Sequence, residues 1–225
     1  PYLRGLCQSE ADWLPGAMEA PEASFEAVLE AAREASLDQV AHILRQAKRR
    51  VGLITAMADL AGVWSLHNVT SRLTDFADVS VGLALRAALT PEVARGKIPG
   101  QTEQDLESAC GMVVFAMGKM GASELNYSSD IDLICLFDET RFDPDDYGTA
   151  RAAFVRATRK MVATLNDRTS DGYVFRTDLR LRPDPAVTPV CLAMARAEGY
   201  YESLGRNWER AAYIKARPCA GDFAA

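Results

Sequence analysis

Three aspartates stand where they could act together. Asp130 and Asp132 sit two residues apart at the start of an apolar run over 131–137. A spacing of two puts both side chains on one face of a strand. Carboxylates placed side by side repel, and they cost stability unless a cation lies between them or one takes a proton. Mg²⁺ is suited to that place, because it takes oxygen ligands and keeps room for water and phosphate oxygens. Further on, Arg176, Asp178, Arg180 and Arg182 alternate with Phe175, Thr177, Leu179 and Leu181. The alternation predicts a strand over 174–181 with its charges on one face. Laid beside the first strand, it adds Asp178 to the pair. Three such carboxylates can hold two Mg²⁺ (or Mn²⁺) ions for in-line displacement at phosphorus. The arginines then sit where anionic oxygens arrive.

A second feature precedes the acids. Gly118-Lys119-Met120-Gly121 turns between an apolar run over 112–117 and a polar loop over 118–129. Glycines let backbone N–H groups approach a phosphate. The spacing is not that of a P-loop, which needs Gly-x-x-x-x-Gly-Lys-Ser/Thr. Singly, each piece also has a structural reading: a solvated strand edge, a plain turn, arginines paired with nearby acids. In this order they resemble the layout of the nucleotidyltransferase fold, the DNA polymerase beta-like α/β domain with a small mixed sheet.

The elements that must position these residues change character near Pro99-Gly100. The expected class is α+β, with a helical region over 1–100 and the catalytic domain over 101–225. Residues 1–20 read as an extended lead-in. Pro21 can open a helix to about Ala35. Ser36-Leu37-Asp38-Gln39 fits a capping box for the next, whose Val40, Ile43, Leu44, Ala47, Val51, Ile54 and Ala58 recur at helical spacing. Leu66 to Leu83 repeats the pattern until Thr90-Pro91 breaks it. After residue 100 the reading is a short helix over 102–108, strands over 112–117, 131–137 and 174–181, a helix over 147–165, and two more over 192–203 and 207–216. Ala220-Gly221-Asp222 reads as the entry to a further helix, and Pro1 as the start of a piece cut from a longer chain.

Composition bounds the function classes. The chain has 225 residues, 48% apolar and 25% charged, an ordinary globular balance. Net charge is −6, which argues against broad nucleic-acid binding. No run is long and apolar enough to predict a membrane span. The five cysteines are an odd, scattered set with no Cys-x-x-Cys pair, so disulfides and a zinc site are not expected and a reducing cytoplasm is. His42, His67 and the cysteines read as packing or surface residues, and Trp208 as a core anchor.

Three stretches resemble one family, the glutamine synthetase adenylyltransferase/adenylyl-removing enzymes. They are Gly118 to Leu133, Asp171 to Pro183, and Tyr200-Tyr201 with Gly205 to Arg217; together the resemblance covers roughly residues 111–221. One departure is Asp184-Pro185-Ala186-Val187-Thr188-Pro189, where the family often carries a glycine-containing turn. The resemblance implies a metal-dependent nucleotidyltransferase, and its details favour the N-terminal, adenylyl-removing half. That half takes AMP from a tyrosine of adenylylated glutamine synthetase by phosphorolysis and yields ADP. Asp130, Asp132 and Asp178 would be catalytic and would hold the metal. Gly118, Lys119, Gly121, Ser123 and Ser129 would face the nucleotide phosphate, and Arg180, Arg182 and Lys215 the attacking inorganic phosphate. The implied partners are glutamine synthetase, the PII signalling protein and adenine nucleotides (ADP or ATP). Two alternatives stand beside it: the half that adds AMP from ATP, and a non-catalytic module that binds nucleotide or PII.

Overall fold

The computed structural model describes residues 2–224. The first half is helical: α1 (Tyr2–Ser9), α2 (Leu14–Glu19), α3 (Pro21–Glu34), α4 (Val40–Leu60) and α5 (Leu66–Ala94). Residues 2–19 are thus two short helices and not an extended lead-in. Pro21 opens α3 as its position predicts. The capping box at 36–39 does not form: Gln39 is the N-cap of α4 and makes no side-chain cap bond. Pro91 does not end α5. The last turn is held from outside, by a buried Glu92 that accepts from Arg156 at 2.6 Å and pairs with Arg95 at 3.4 Å. Those contacts outweigh the one hydrogen bond a late proline removes.

The second half carries β1 (Met112–Ala116), α6 (Gly118–Gly121), β2 (Ile131–Phe137), α7 (Tyr147–Asn166), β3 (Thr177–Asp178), β4 (Cys191–Ala193), α8 (Met194–Ser203), α9 (Asn207–Ala212) and β5 (Arg217–Gly221). The sheet is mixed. β1 lies antiparallel between β2 and β5, while β3 and β4 both pair parallel with the far edge of β2. Two strands escape the sequence pattern. β4 holds three residues, too few to show a period, and reads as the start of the helix that follows it. β5 occupies the place of the expected helix entry. Gly221 is required there, since its φ is +94° and a Cβ would overlap the Met112 carbonyl of β1.

The sheet has two unlike faces. Met112, Val114, Leu133, Cys135 and Phe137 point to a large core shared with α3, α4, α5 and α7. Phe25, Phe76 and Phe154 are buried in it, and Phe154 stacks on Phe137 with ring centroids 4.8 Å apart. The helical half and the sheet half therefore share one interior. Val113, Met117, Ile134, Leu136, Leu192 and Ala197 form a smaller cluster on the opposite face, under α8. By the period of two, Asp132 shares that second face with Ile134 and Leu136.

The expected strand over 174–181 shrinks to two residues for a visible reason. The amides of Val174 and Phe175 donate to the Leu165 carbonyl at the end of α7, at 2.8 and 3.0 Å. The approach segment is instead fastened to α4. Buried Arg45 donates to the Gly172 carbonyl at 2.9 Å and the Asp167 carbonyl at 2.5 Å. Lys48 donates to the Val174 carbonyl, and Arg49 pairs with Asp171 at 3.0 Å. Replacing Arg45 by methionine keeps much of the volume and orphans both carbonyls. Urea unfolding should show a loss of about 2–4 kcal/mol; a loss within 0.5 kcal/mol would mean that α4 does not carry this segment.

Candidate active site

Register alone brings two acids together. Parallel pairing sets Ile131 against Thr177 and Asp132 against Asp178, as the spacing predicts. Their environments then diverge. Asp178 accepts from the backbone N–H of Arg180 at 2.8 Å and from its guanidinium at 2.5 to 3.0 Å. Those bonds hold its carboxyl below the usual carboxylate range. Asp132 is half-buried and accepts no hydrogen bond on its side chain among the described residues. Burial first, then the charges of Asp178 and Asp130, push it up, with Arg180 opposing. Its Oδ2 lies 3.4 Å from where a Cβ on Gly118 would stand.

Asp130 precedes β2, close enough for its charge to raise Asp132, and is itself paired with Arg176. Arg176 binds its carboxylate through Nε, while donating to the Ser128 carbonyl at 2.7 Å and the Tyr173 hydroxyl at 3.1 Å. Among the described residues, no three carboxylate, imidazole or thiolate side chains converge as a ready cation cage. The Asp130–Arg176 pair is about half exposed on both sides. Pairs in that setting are worth about 0–1 kcal/mol, so a competing cation can replace the arginine.

The phosphate-side residues divide in the same way. Gly118 has a φ of +54° and opens α6 beside Asp132, where first-turn N–H groups have no intrahelical acceptor. Lys119 is exposed. Gly121 has a packing role: a Cβ there would overlap the Lys215 carbonyl. Ser123 takes a left-handed φ of +58° as the chain leaves α6. Ser129 donates to the Asn126 side chain at 2.7 Å and so braces the loop before Asp130. Lys215 reaches the same loop and pairs with Glu124 at 2.7 Å.

Two arginines of the predicted charged face part company. The Arg180 side chain is 84% exposed and its guanidinium rests on Asp178. Arg182 turns back instead and donates to the carbonyls of Leu179 and Pro185, both at 2.8 Å, and of Thr188 at 3.1 Å. It locks the 183–189 turn and makes no hydrogen bond to the acids, though its charge still reaches Asp178. Trp208 is 54% exposed and not a core anchor. Buried Glu209 accepts from the Tyr200 hydroxyl at 3.1 Å and from the Arg206 backbone N–H at 2.7 Å. Arg45 and Lys48, which hold the approach to β3 from α4, were not singled out by the sequence. Their signal was a set of basic residues inside an otherwise apolar helical period, which reads as a solvated face until the segment it binds is known.

A helical layer on one sheet face, with adjacent carboxylates on the other, has the α+β form of nucleotidyltransferase-like proteins. A profile for Glutamate-ammonia ligase adenylyltransferase matches residues 2–225, and the chain belongs to that family. It is similar to the bifunctional glutamine synthetase adenylyltransferase/adenylyl-removing enzymes of several bacteria. It is 51% identical to one from a Bradyrhizobium species over 83% of this chain and 19% of the relative. It is 48% identical to that of Bradyrhizobium diazoefficiens, over 99% of this chain and 23% of the relative. For Brucella suis the figures are 46%, 90% and 21%. The chain thus spans about a fifth of the length of these curated relatives.

The strained acid gives a pH signature. A raised Asp132 is a cost of folding that is absent while the group is protonated in both states. The cost grows as pH rises from the ordinary value of 3.8 through the higher folded value. Asp132→Asn should therefore melt about 2 °C higher than the parent at pH 7 in EDTA, a figure kept small by solvent screening. The gap should close toward pH 3. A parent that melts higher at pH 7 would show that Asp132 is not under charge strain.

Proposed function

We propose that this chain is the adenylyl-removing unit of its family, acting on the AMP-tyrosine of adenylylated glutamine synthetase by phosphorolysis. The observation that supports AMP transfer here, in either direction, is Asp132: half-buried, unbonded, and facing two further negative charges. Such a group fits a divalent cation, and Asp130, Asp132 and Asp178 are the oxygen donors that would hold Mg²⁺ or Mn²⁺. When bound, the ion supplies charge neutralisation at the phosphate oxygens and at the departing tyrosine oxygen. Asp130 would take part by exchanging Arg176 for the ion.

The chain's own side chains do the positioning. Arg180, exposed and hinged beside Asp178, can swing to meet inorganic phosphate, and Lys215 offers a second cation at the edge of the loop. Arg182 contributes through the turn that fixes Arg180. The α6 turn, with Gly118, Lys119, Ser123 and the braced Ser129, borders the place for the nucleotide phosphate. An oxygen of inorganic phosphate bonds to the α-phosphorus as the bond to the tyrosine oxygen breaks. The tyrosine leaves as phenoxide, with an ordinary pKa of about 10, and takes a proton from water. The products are ADP and the free tyrosine side chain. The work is charge placement more than covalent catalysis.

The likeness of 124–132 and 205–210 to the removing half supports this direction, as do the helices before the site. Five unbridged cysteines, four of them buried, support a reducing cytoplasm. Among the described residues no helix is long and apolar enough to cross a membrane. The reading places the chain in nitrogen regulation, with PII as the signalling partner that the family resemblance implies. The relatives are bifunctional, so addition of AMP from ATP is the second reading.

The test is nucleotide release from adenylylated glutamine synthetase with phosphate and Mg²⁺ or Mn²⁺. ADP should appear only with phosphate, and Asp130→Ala should lower the rate at least about 100-fold. Pyrophosphate formed from ATP with unmodified glutamine synthetase, and no ADP from the adenylylated form, would assign the chain to the opposite half.

A further inference from the structure

A cavity of about 320 Å³ lies on the helical side of the sheet, away from the face that carries Asp132. Its walls are apolar, with Val51, Leu73, Phe76 and Phe175 among them, and two polar ends break the pattern. At one end is the ammonium of Lys48. At the other, Asp59 accepts from the Tyr127 hydroxyl at 3.0 Å. Both residues belong to α4, eleven positions apart, so the ends are separated by about 16 Å of helix rise.

Two observations point to an occupant. Lys48 has no carboxylate partner among the described residues. It stands 4.3 Å from the Tyr173 ring centroid and 5.0 Å from that of Phe175, and it donates to one carbonyl. An ammonium has three donors, so two remain to be met. Burial, helped by the charge of Arg176, brings it down to about 8, so it is charged at pH 7 in surroundings that disfavour the charge. An anion would relieve that cost. The second observation is Gly52, which lines the cavity from the middle of α4. Its φ is ordinary, and nothing lies within 4 Å of where a Cβ would stand. No turn and no close approach requires it, and a helix-interior glycine costs about 1 kcal/mol against alanine. What its missing side chain does provide is space.

We propose that this cavity is a binding site for a small amphipathic monocarboxylate, its carboxylate on Lys48 and its apolar body along Gly52 toward Leu60. The charges set the direction: Asp59 repels a carboxylate at the far end. Chain length follows from the wall, since the apolar stretch runs from Lys48 to the Asp59–Tyr127 pair. Asn126 and Tyr127 also line the cavity and belong to the loop that leads to Asp130. None of the three carboxylates of the reaction assigned above lines it.

Octanoate is a suitable probe, with 1-octanol as the same tail without the charge. Calorimetric titration of the full chain at pH 7 should show saturable octanoate binding at one site, at least tenfold tighter than octanol. Lys48→Met should lose at least that factor for octanoate and leave octanol unchanged. Gly52→Leu should fill the space, abolish binding of both and raise the melting temperature of the free chain. If Lys48→Met fails to fold by near-ultraviolet circular dichroism, Gly52→Leu and the comparison of probes on the parent still decide. No saturable octanoate binding, equal affinity for octanol, or binding that survives Gly52→Leu would overturn the proposal.

Discussion

One constraint organises this molecule: parallel register sets two carboxylates side by side on neighbouring strands. Asp132 and Asp178 face each other because Ile131 pairs with Thr177, and no side-chain choice nearby can undo that. Their repulsion must be managed by what surrounds them. Arg180 folds back on Asp178, Arg176 takes Asp130, and Asp132 is left with its charge unanswered. The arrangement keeps each compensating contact weak and exposed, except at the acid that has none. A site built this way yields its arginines to a phosphate or a cation at small cost, because solvent-exposed pairs are worth little.

The two-residue β3 could not hold such a register by itself. Two strand residues give too few ladder bonds to fix a parallel pair. The constraint is imposed from the helical half. Arg45, Lys48 and Arg49 of α4 grip the backbone and side chains of 167–174, and the end of α7 takes the amides of Val174 and Phe175. The helical half is therefore part of the site's scaffold. The shared core says the same, since β1 and β2 bury one face against α5 and α7. Chemistry sits on one face of the sheet and its mechanical support on the other.

What was legible in the sequence follows from where the information lies. Helical period and a strand-like spacing are local, so α3, α4, α5, α7, β1 and β2 could be read, and with them the pairing of Asp132 and Asp178. Short elements that exist only by tertiary contact could not. β4 and β5 show no period of their own; β5 is recognisable only once Gly221 is seen against Met112. Pro91 misled because the grip of Arg156 on Glu92 lies 64 residues away in sequence. Arg182 misled for the opposite reason. Alternation placed it on the charged face, but the strand stops at Asp178, and beyond a strand's end the period of two no longer says where a side chain points.

The carboxylates alone do not select a direction of AMP transfer. On the proposed reading, removal and addition pass through the same in-line arrangement at the α-phosphorus, and the same three acids would serve both. The reactions differ in the group opposite the tyrosine, inorganic phosphate in one and pyrophosphate in the other. That difference is one phosphoryl group, and it lies beyond the reach of Asp132. It can be read only by cations at the margin of the site. Here those are Arg180, whose range is set by the turn that Arg182 locks, and Lys215, already shared with Glu124. On that reading, the half of the reaction a chain performs would be decided by its turn and its loop, which lie outside the core. The acids, fixed by strand register, can stay the same while the direction changes.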